Sequence, residues 1–436
     1  MIARCPTRRI ISLAFLMVAI AYLLQIASPL RLINDGVDYL LQASSALDGN
    51  GLLLHGVRSI RPSGYPALIW VLAKAGIGKS WAIVALNCLL LGVGCVASYF
   101  VVRDSFGFSS EVTQFISLLT LLSFLMIRNV TYPLSDICFF GASVPCLLVQ
   151  IRAEADAGSR RLWWLLLIIP SLFFCIELRT IGVVLIPAFI WAAIGGAAGA
   201  RRIYPTLRRH RVLTCVLVLI GLVVAGRILL DSRYMRFNSH IFQRRGVLRS
   251  VAANIGYHTA EWGEMTANAP ASKLRAALGL PLQILAASSV LACVVGFWVK
   301  RSRPDSLLLY LLGFDPSSLL IHGMMPALVT GSAISHGVRT ARTEAHGLTR
   351  HIASIIGRLL LPFLHAWVFC MLGLLALGFS TRFTFAGARF PDIYGDGSFR
   401  DAYRIVLRGE TPKNGDDVNQ GALYLLRRYE WRAASK

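Results

Sequence analysis

Asp35, Asp38 and Tyr39 stand in a D-x-x-D-Y spacing directly after the first long apolar run of the chain. In a short helix beginning near Asp35, the four-residue interval puts Asp35 and Tyr39 on one face. A carboxylate there can take a proton from a hydroxyl nucleophile or hold a metal ion. It can equally serve as a helix cap, with Asn34 or Asp35 accepting from free backbone N–H groups. The setting favours chemistry, because the segment emerges from Ile10 to Leu30, about the 20 apolar residues that cross a bilayer as a helix. A carboxylate tethered at the membrane surface suits a substrate that itself lies in the bilayer.

A second cluster follows at Arg58, Arg61, Pro62, Gly64, Tyr65 and Pro66. The prolines fix the chain, Gly64 is expected to supply a turn, and Tyr65 fits an aromatic belt at the interface. The guanidinium forks of Arg58 and Arg61 match a phosphate, and anionic headgroups would satisfy them equally. Further along, Arg128, Ser135, Asp136, Glu177 and Arg179 mark the ends of apolar runs. Ionisable residues at span ends are costly and often functional. Simple pairing, Asp136 with Arg128 or Glu177 with Arg179, would also account for them.

The elements that must position these residues are membrane helices. The chain has 436 residues, of which 56% are hydrophobic and 15% charged, against about 45–50% and 25% in soluble domains. Apolar runs are expected to span at about 10–30, 82–102, 111–128, 135–151, 162–177, 181–199, 212–230, 281–299, 306–323 and 358–379. The fold class is therefore all-α, a polytopic transmembrane bundle of about 10–11 spans with a short helical segment in its first external loop. Residues 1–380 form the membrane domain and 381–436 a polar tail, in which Ala422 to Tyr429 reads as an amphipathic helix packed on the external face. Residues 315–350 contain no uninterrupted span. Either a weak crossing near 324–338 or a local slip of reading frame accounts for them.

Charge sets the orientation. Arg8 and Arg9 share a side with Arg103, with 152–161, with 201–211 and with 300–303, as the positive-inside bias requires of a cytoplasmic N-terminus. The long loops 31–81 and 231–280 then face outward, and the second carries arginines that favour an anionic ligand or a lipid surface. The net charge of +22 lies mostly in these short clusters, with no basic domain beside it, which excludes nucleic acid as the partner. The nine cysteines sit mostly in apolar runs without C-x-x-C spacing, so neither a disulfide framework nor a zinc site is indicated. Gly78-Lys79-Ser80 looks like the end of a phosphate-binding loop, but the first glycine position holds Ala73 and no strand precedes it.

A first span, an external Asp-x-x-x-Tyr segment, a leucine- and alanine-rich helix and then R-P-S-G-Y-P resemble the GT-C class of integral-membrane glycosyltransferases. Within it the chain is most similar to bacterial relatives of the dolichyl-phosphate-mannose–protein mannosyltransferases and the lipid A aminoarabinose transferases. The resemblance covers roughly residues 1–300 in layout, with its motifs confined to about 34–66 and, weakly, 132–140 and 177–182. It implies an enzyme of the bacterial inner membrane that moves a sugar from a polyprenyl-phosphate donor to an extracytoplasmic glycan, lipid or protein acceptor, among membrane lipids. The resemblance maps catalysis onto Asp35 and Asp136 and places Arg179 near the donor phosphate. The residues themselves add Asp38 as a catalytic candidate, and Tyr39, Arg58, Arg61, Tyr65 and Arg128 as substrate- or phosphate-binding candidates. Direct displacement with inversion needs one base and a stabilised leaving phosphate. No cofactor is certain, and a divalent metal ion is the one candidate. Gly36 stands where many relatives carry a second acidic residue, which weakens the case for metal. The competing class is a transporter or flippase for a lipid-linked or anionic substrate, which would place charged or broken helices near the membrane midplane.

Overall fold

A computed structural model describes residues 5–59, 61–106, 110–121, 124–156, 159–196, 399–410 and 419–430, with single positions at 199, 205, 246, 248 and 249. The expected spans at 212–230, 281–299, 306–323 and 358–379, most of the loop 231–280, and the stretch 315–350 lie outside the described residues. The first helix, α1, is Cys5–Ile26. It ends short of the expected Leu30 because Pro29 disfavours a helical Ser28. Helix α2 (Asn34–Leu47) lies in the loop that follows. A two-stranded antiparallel hairpin, β1 (Leu53–Leu54) and β2 (Val57–Arg58), comes next. Its turn residues His55 and Gly56 have φ of 50° and 77°, the left-handed pair that a two-residue hairpin needs.

Helix α3 (Gly64–Lys74) leads into α4 (Ser80–Phe106). The expected span 111–128 contains two helices, α5 (Ser110–Leu121) and α6 (Phe124–Asn129). Helices α7 (Ser135–Ala155) and α8 (Ser159–Leu178) each outrun their expected spans by a few residues. A 3₁₀ turn (Thr180–Val184) then delivers α9 (Leu185–Ile194). Among the described residues α4, α7 and α8 are long and apolar enough to cross a membrane, and the protein is an integral membrane protein.

Helix α7 is the centre of the packing, with α4, α8 and α9 against it and little of its surface exposed. Helix α8 is the opposite, presenting Leu162, Trp163, Leu166 and Phe173 outward, as suits side chains in contact with lipid. Two further helices, α10 (Arg400–Arg408) and α11 (Gln420–Tyr429), pack on each other, and α11 packs on α2. Gly409 closes α10 with a φ of 67°, and Asn419 caps α11 by accepting from Ala422 N at 3.0 Å.

One buried polar residue ties the spans to the loops. Asn87 of α4 is fully buried and donates to the Val130 and Tyr132 carbonyls at 2.9 and 3.1 Å. Its Oδ1 accepts from Tyr65 at 3.3 Å. Replacing Asn87 with leucine strands two carbonyls and a hydroxyl away from water, at about 1–3 kcal/mol for each unpaired group. The expected result is a clearly lower unfolding temperature in detergent and reduced membrane abundance, read by a thermal-shift assay; an unchanged temperature would remove Asn87 as the tie.

Candidate active site

Helix α2 forms because its apolar positions fall on one stripe. Gly36, Tyr39, Leu40 and Ala43 are buried at an i, i+3, i+4, i+7 spacing. Asp35 stays on the outer side with 56% of its side chain exposed, where a second molecule can reach it. The N-cap is Ile33, which makes no side-chain bond, so side-chain capping is not the role of Asn34 or Asp35. Gly36 is set by contact: a Cβ there would lie 2.7 Å from Pro133 Cγ. An acidic side chain at 36 would require the Pro133 segment to move.

Arg61 reaches back across the loop to α2. Its Nη2 donates to Asp35 Oδ1 at 2.6 Å and lies 3.4 Å from Asp38 Oδ2. The guanidinium also stands over the Tyr39 ring, 5.7 Å from its centroid. Tyr39 meets Tyr65 edge-on with centroids 5.5 Å apart. Its hydroxyl is 3.2 Å from Ser135 Oγ at the start of α7. The next residue, Asp136, accepts from Arg179 at the end of α8 in a short ion pair. Thus Arg179, rather than Arg128, is the partner seen on Asp136.

Tyr39 joins the two pairs electrostatically as well as in space. Burial pushes its hydroxyl above the ordinary tyrosine range; Asp136 adds to that, while Arg179 and Arg61 oppose it. Burial likewise lifts the Asp38 carboxyl above its usual range, against Arg61 and His55 and with help from Asp35. The R-P-S-G-Y-P segment is held by a close approach. A Cβ on Gly64 would lie 2.5 Å from the Glu177 carbonyl oxygen, so Gly64 serves contact with α8 and opens α3, instead of making the expected turn.

The structure therefore gathers Asp35, Asp38, Tyr39, Arg61, Tyr65, Asp136 and Arg179 around one end of α2 and α7. It leaves Arg58 exposed on β2. It sets Arg128 over Tyr132, at 5.8 Å from the ring centroid, with Arg31 also on that ring at 6.0 Å. Sequence reasoning missed Asn87, Arg31 and Tyr132. Of these, only Asn87 carried a signal, as an amide inside an apolar run. A divalent ion at Asp35 and Asp38 would have to take the place of Arg61, which lies against both carboxylates. Among the described residues no group of three or more His, Cys, Asp or Glu converges on a point.

No family model matches the chain, and no curated protein matches it. Among solved structures the fold is similar to that of a helical membrane protein of the GT-C type. One similar structure is ArnT from Cupriavidus metallidurans bound to undecaprenyl phosphate, which aligns over 96% of this chain and 85% of its own at 14% identity and a TM-score of 0.53. The same protein in the apo state aligns over equal shares at 15% identity and a TM-score of 0.46.

The elevated Asp38 gives a signed pH dependence. Between the ordinary carboxylate value of 3.8 and the raised folded value, the folded state binds more protons than the unfolded, so stability falls as pH rises through that window. Asp38→Asn should flatten this part of the stability curve in a pH-scanned thermal melt. A variant curve parallel to the wild type would show that ionising Asp38 costs the fold nothing.

Proposed function

We propose that the chain is an inverting glycosyltransferase that takes a sugar from a polyprenyl-phosphate donor. The observation that carries this reading is the pair of guanidinium–carboxylate contacts, Arg61 with Asp35 and Asp38, and Arg179 with Asp136, set around Tyr39. The GT-C fold supports it, and the ArnT structure of that fold holds undecaprenyl phosphate.

A phosphate arriving between the two guanidiniums competes with the carboxylates for their N–H donors, since charge-assisted bonds to phosphate and to carboxylate are of similar strength. As Arg61 turns to the phosphate, Asp35 Oδ1 loses its 2.6 Å partner. The freed carboxylate accepts the proton of the acceptor hydroxyl. The acceptor oxygen attacks the anomeric carbon, the bond from that carbon to the phosphate oxygen breaks, and polyprenyl phosphate leaves with the electron pair. Arg61 and Arg179 stabilise the charge on the leaving phosphate. Attack opposite the leaving group inverts the anomeric centre. Should a divalent ion take part, Asp35 and Asp38 are the residues that would hold it, beside the same phosphate.

In this reading the site lies on the outward face of a bacterial inner membrane, with the N-terminus in the cytoplasm. The acceptor is a glycan, lipid or protein on that face. The same reading takes Arg58, exposed on the hairpin, and Arg128, over the Tyr132 ring, as further binding residues for the donor.

Transfer of radiolabelled sugar from a panel of polyprenyl-phosphate donors, in membranes holding equal amounts of wild type or Asp35→Asn, tests the proposal. Loss of a general base is expected to lower transfer by about 10²–10⁴-fold. Equal transfer by the two proteins would remove Asp35 from the mechanism, and a wild type inert with every donor would favour the transporter reading.

A further inference from the structure

The hinge that carries Asp35 is held by the far end of the chain. Between α1 and α2 run Leu30, Arg31 and Leu32, all buried. Their three consecutive N–H groups go to three separate parts of the protein. Leu30 N donates to Glu430 Oε2 at 3.3 Å, Arg31 N to the Thr131 carbonyl at 3.0 Å, and Leu32 N to the Tyr403 hydroxyl at 2.8 Å. Tyr403 also donates its hydroxyl to the Leu30 carbonyl. One phenol thus takes the place of a strand partner on both sides of Arg31.

The same C-terminal segment grips the start of α4 and the length of α2. Glu430 Oε1 accepts from Ser80 Oγ at 3.0 Å, and Lys79 Nζ donates to the Arg428 carbonyl at 2.9 Å. Tyr429 shares a hydrogen bond with Ser44 at 3.1 Å and donates to the Leu40 carbonyl at 3.4 Å. At the far end of α2, Arg428 holds Asp48 with two nitrogens, at 3.0 and 3.2 Å. Tyr403, Tyr429 and Glu430 are each 2% exposed or less. The contacts of these three side chains are interior, whereas those of Lys79 and Arg428 lie at the surface.

We propose that residues 399–410 and 419–430 form a strap that sets the position of Asp35, with Tyr403 and Glu430 as positioning residues acting through the backbone of Leu30 to Leu32. The inference rests on Asp35 being the base, but its physical content is the hinge. Without the strap two buried N–H groups and one carbonyl lose their partners, and of the three N–H bonds leading into α2 only Arg31 to Thr131 remains. A shift of about 1 Å in a reacting group can cost about 10²-fold in rate.

Tyr403→Phe tests this in the full-length protein in nanodiscs, since it removes one oxygen and keeps the buried ring. Amide hydrogen exchange is expected to rise across residues 30–36, and kcat for transfer to fall about tenfold to hundredfold with the donor KM unchanged. Arg160→Ala, exposed at the start of α8 and outside the strap, should leave both quantities at wild type. If Tyr403→Phe does not accumulate, Glu430→Gln reads the Leu30 contact in its place. Wild-type exchange and wild-type kcat in an accumulating variant would overturn the strap. Faster exchange with undiminished turnover would confine its role to stability and overturn the positioning claim. Should Asp35→Asn prove fully active, the base assignment fails while hydrogen exchange still decides whether the strap holds the hinge.

Discussion

A carboxylate at the edge of an apolar bundle persists only where a cation is within reach, and this protein meets that demand twice within one cluster. Arg61 satisfies Asp35 and Asp38, and Arg179 satisfies Asp136. Neither pair is fully buried, with about a quarter to a third of each guanidinium side chain exposed, so the pairs contribute modestly to stability. Their importance is geometric. They bring the loop between β2 and α3, the N-terminus of α2, the start of α7 and the end of α8 to a common point. Tyr39 is the hub, in contact with Arg61 through its ring face, Tyr65 through an edge and Ser135 through its hydroxyl. Remove the tyrosine ring and the two pairs lose the wall between them.

Around that point the constraint becomes one of backbone satisfaction. Buried N–H and C=O groups need partners, and the connection from α1 to α2 is too short to supply its own. Thr131 supplies one partner from the turn before α7, a turn itself held by Asn87. Tyr403 and Glu430 supply the others. The site therefore depends on residues about as distant in sequence as the chain allows. The Lys79–Ser80 pair, so like the end of a phosphate loop, is part of this tie to the C-terminus.

How much of this was legible in the sequence follows from the range of each interaction. The helix starting near Asp35 was readable because its stripe repeats within eight residues, from Gly36 to Ala43. The transmembrane starts at Ser80 and Ser135 were readable to within a few residues, since a long apolar run reports its own limits. Arg61 was recognised as a guanidinium in want of an anion, but not as the partner of Asp35, 26 positions earlier. The partner of Asp136 was offered as Arg128, the nearer arginine, whereas the packing of α8 on α7 delivers Arg179 from 43 positions away. Gly64 was expected to turn the chain, because no local pattern distinguishes a glycine that bends from one that lets a neighbouring backbone approach. Tyr403 and Glu430 had no local signature at all.

The central claim is that the two guanidiniums form one phosphate site beside Asp35. Binding of undecaprenyl phosphate to the purified protein in nanodiscs, compared between wild type, Arg61→Ala and Arg179→Ala, tests it most directly. The account expects saturable binding by the wild type and a loss of about tenfold or more in affinity in each variant, as for removal of a charge-assisted partner worth 1.5–3 kcal/mol. Equal affinity in all three proteins would contradict it, by showing that the lipid phosphate is held elsewhere.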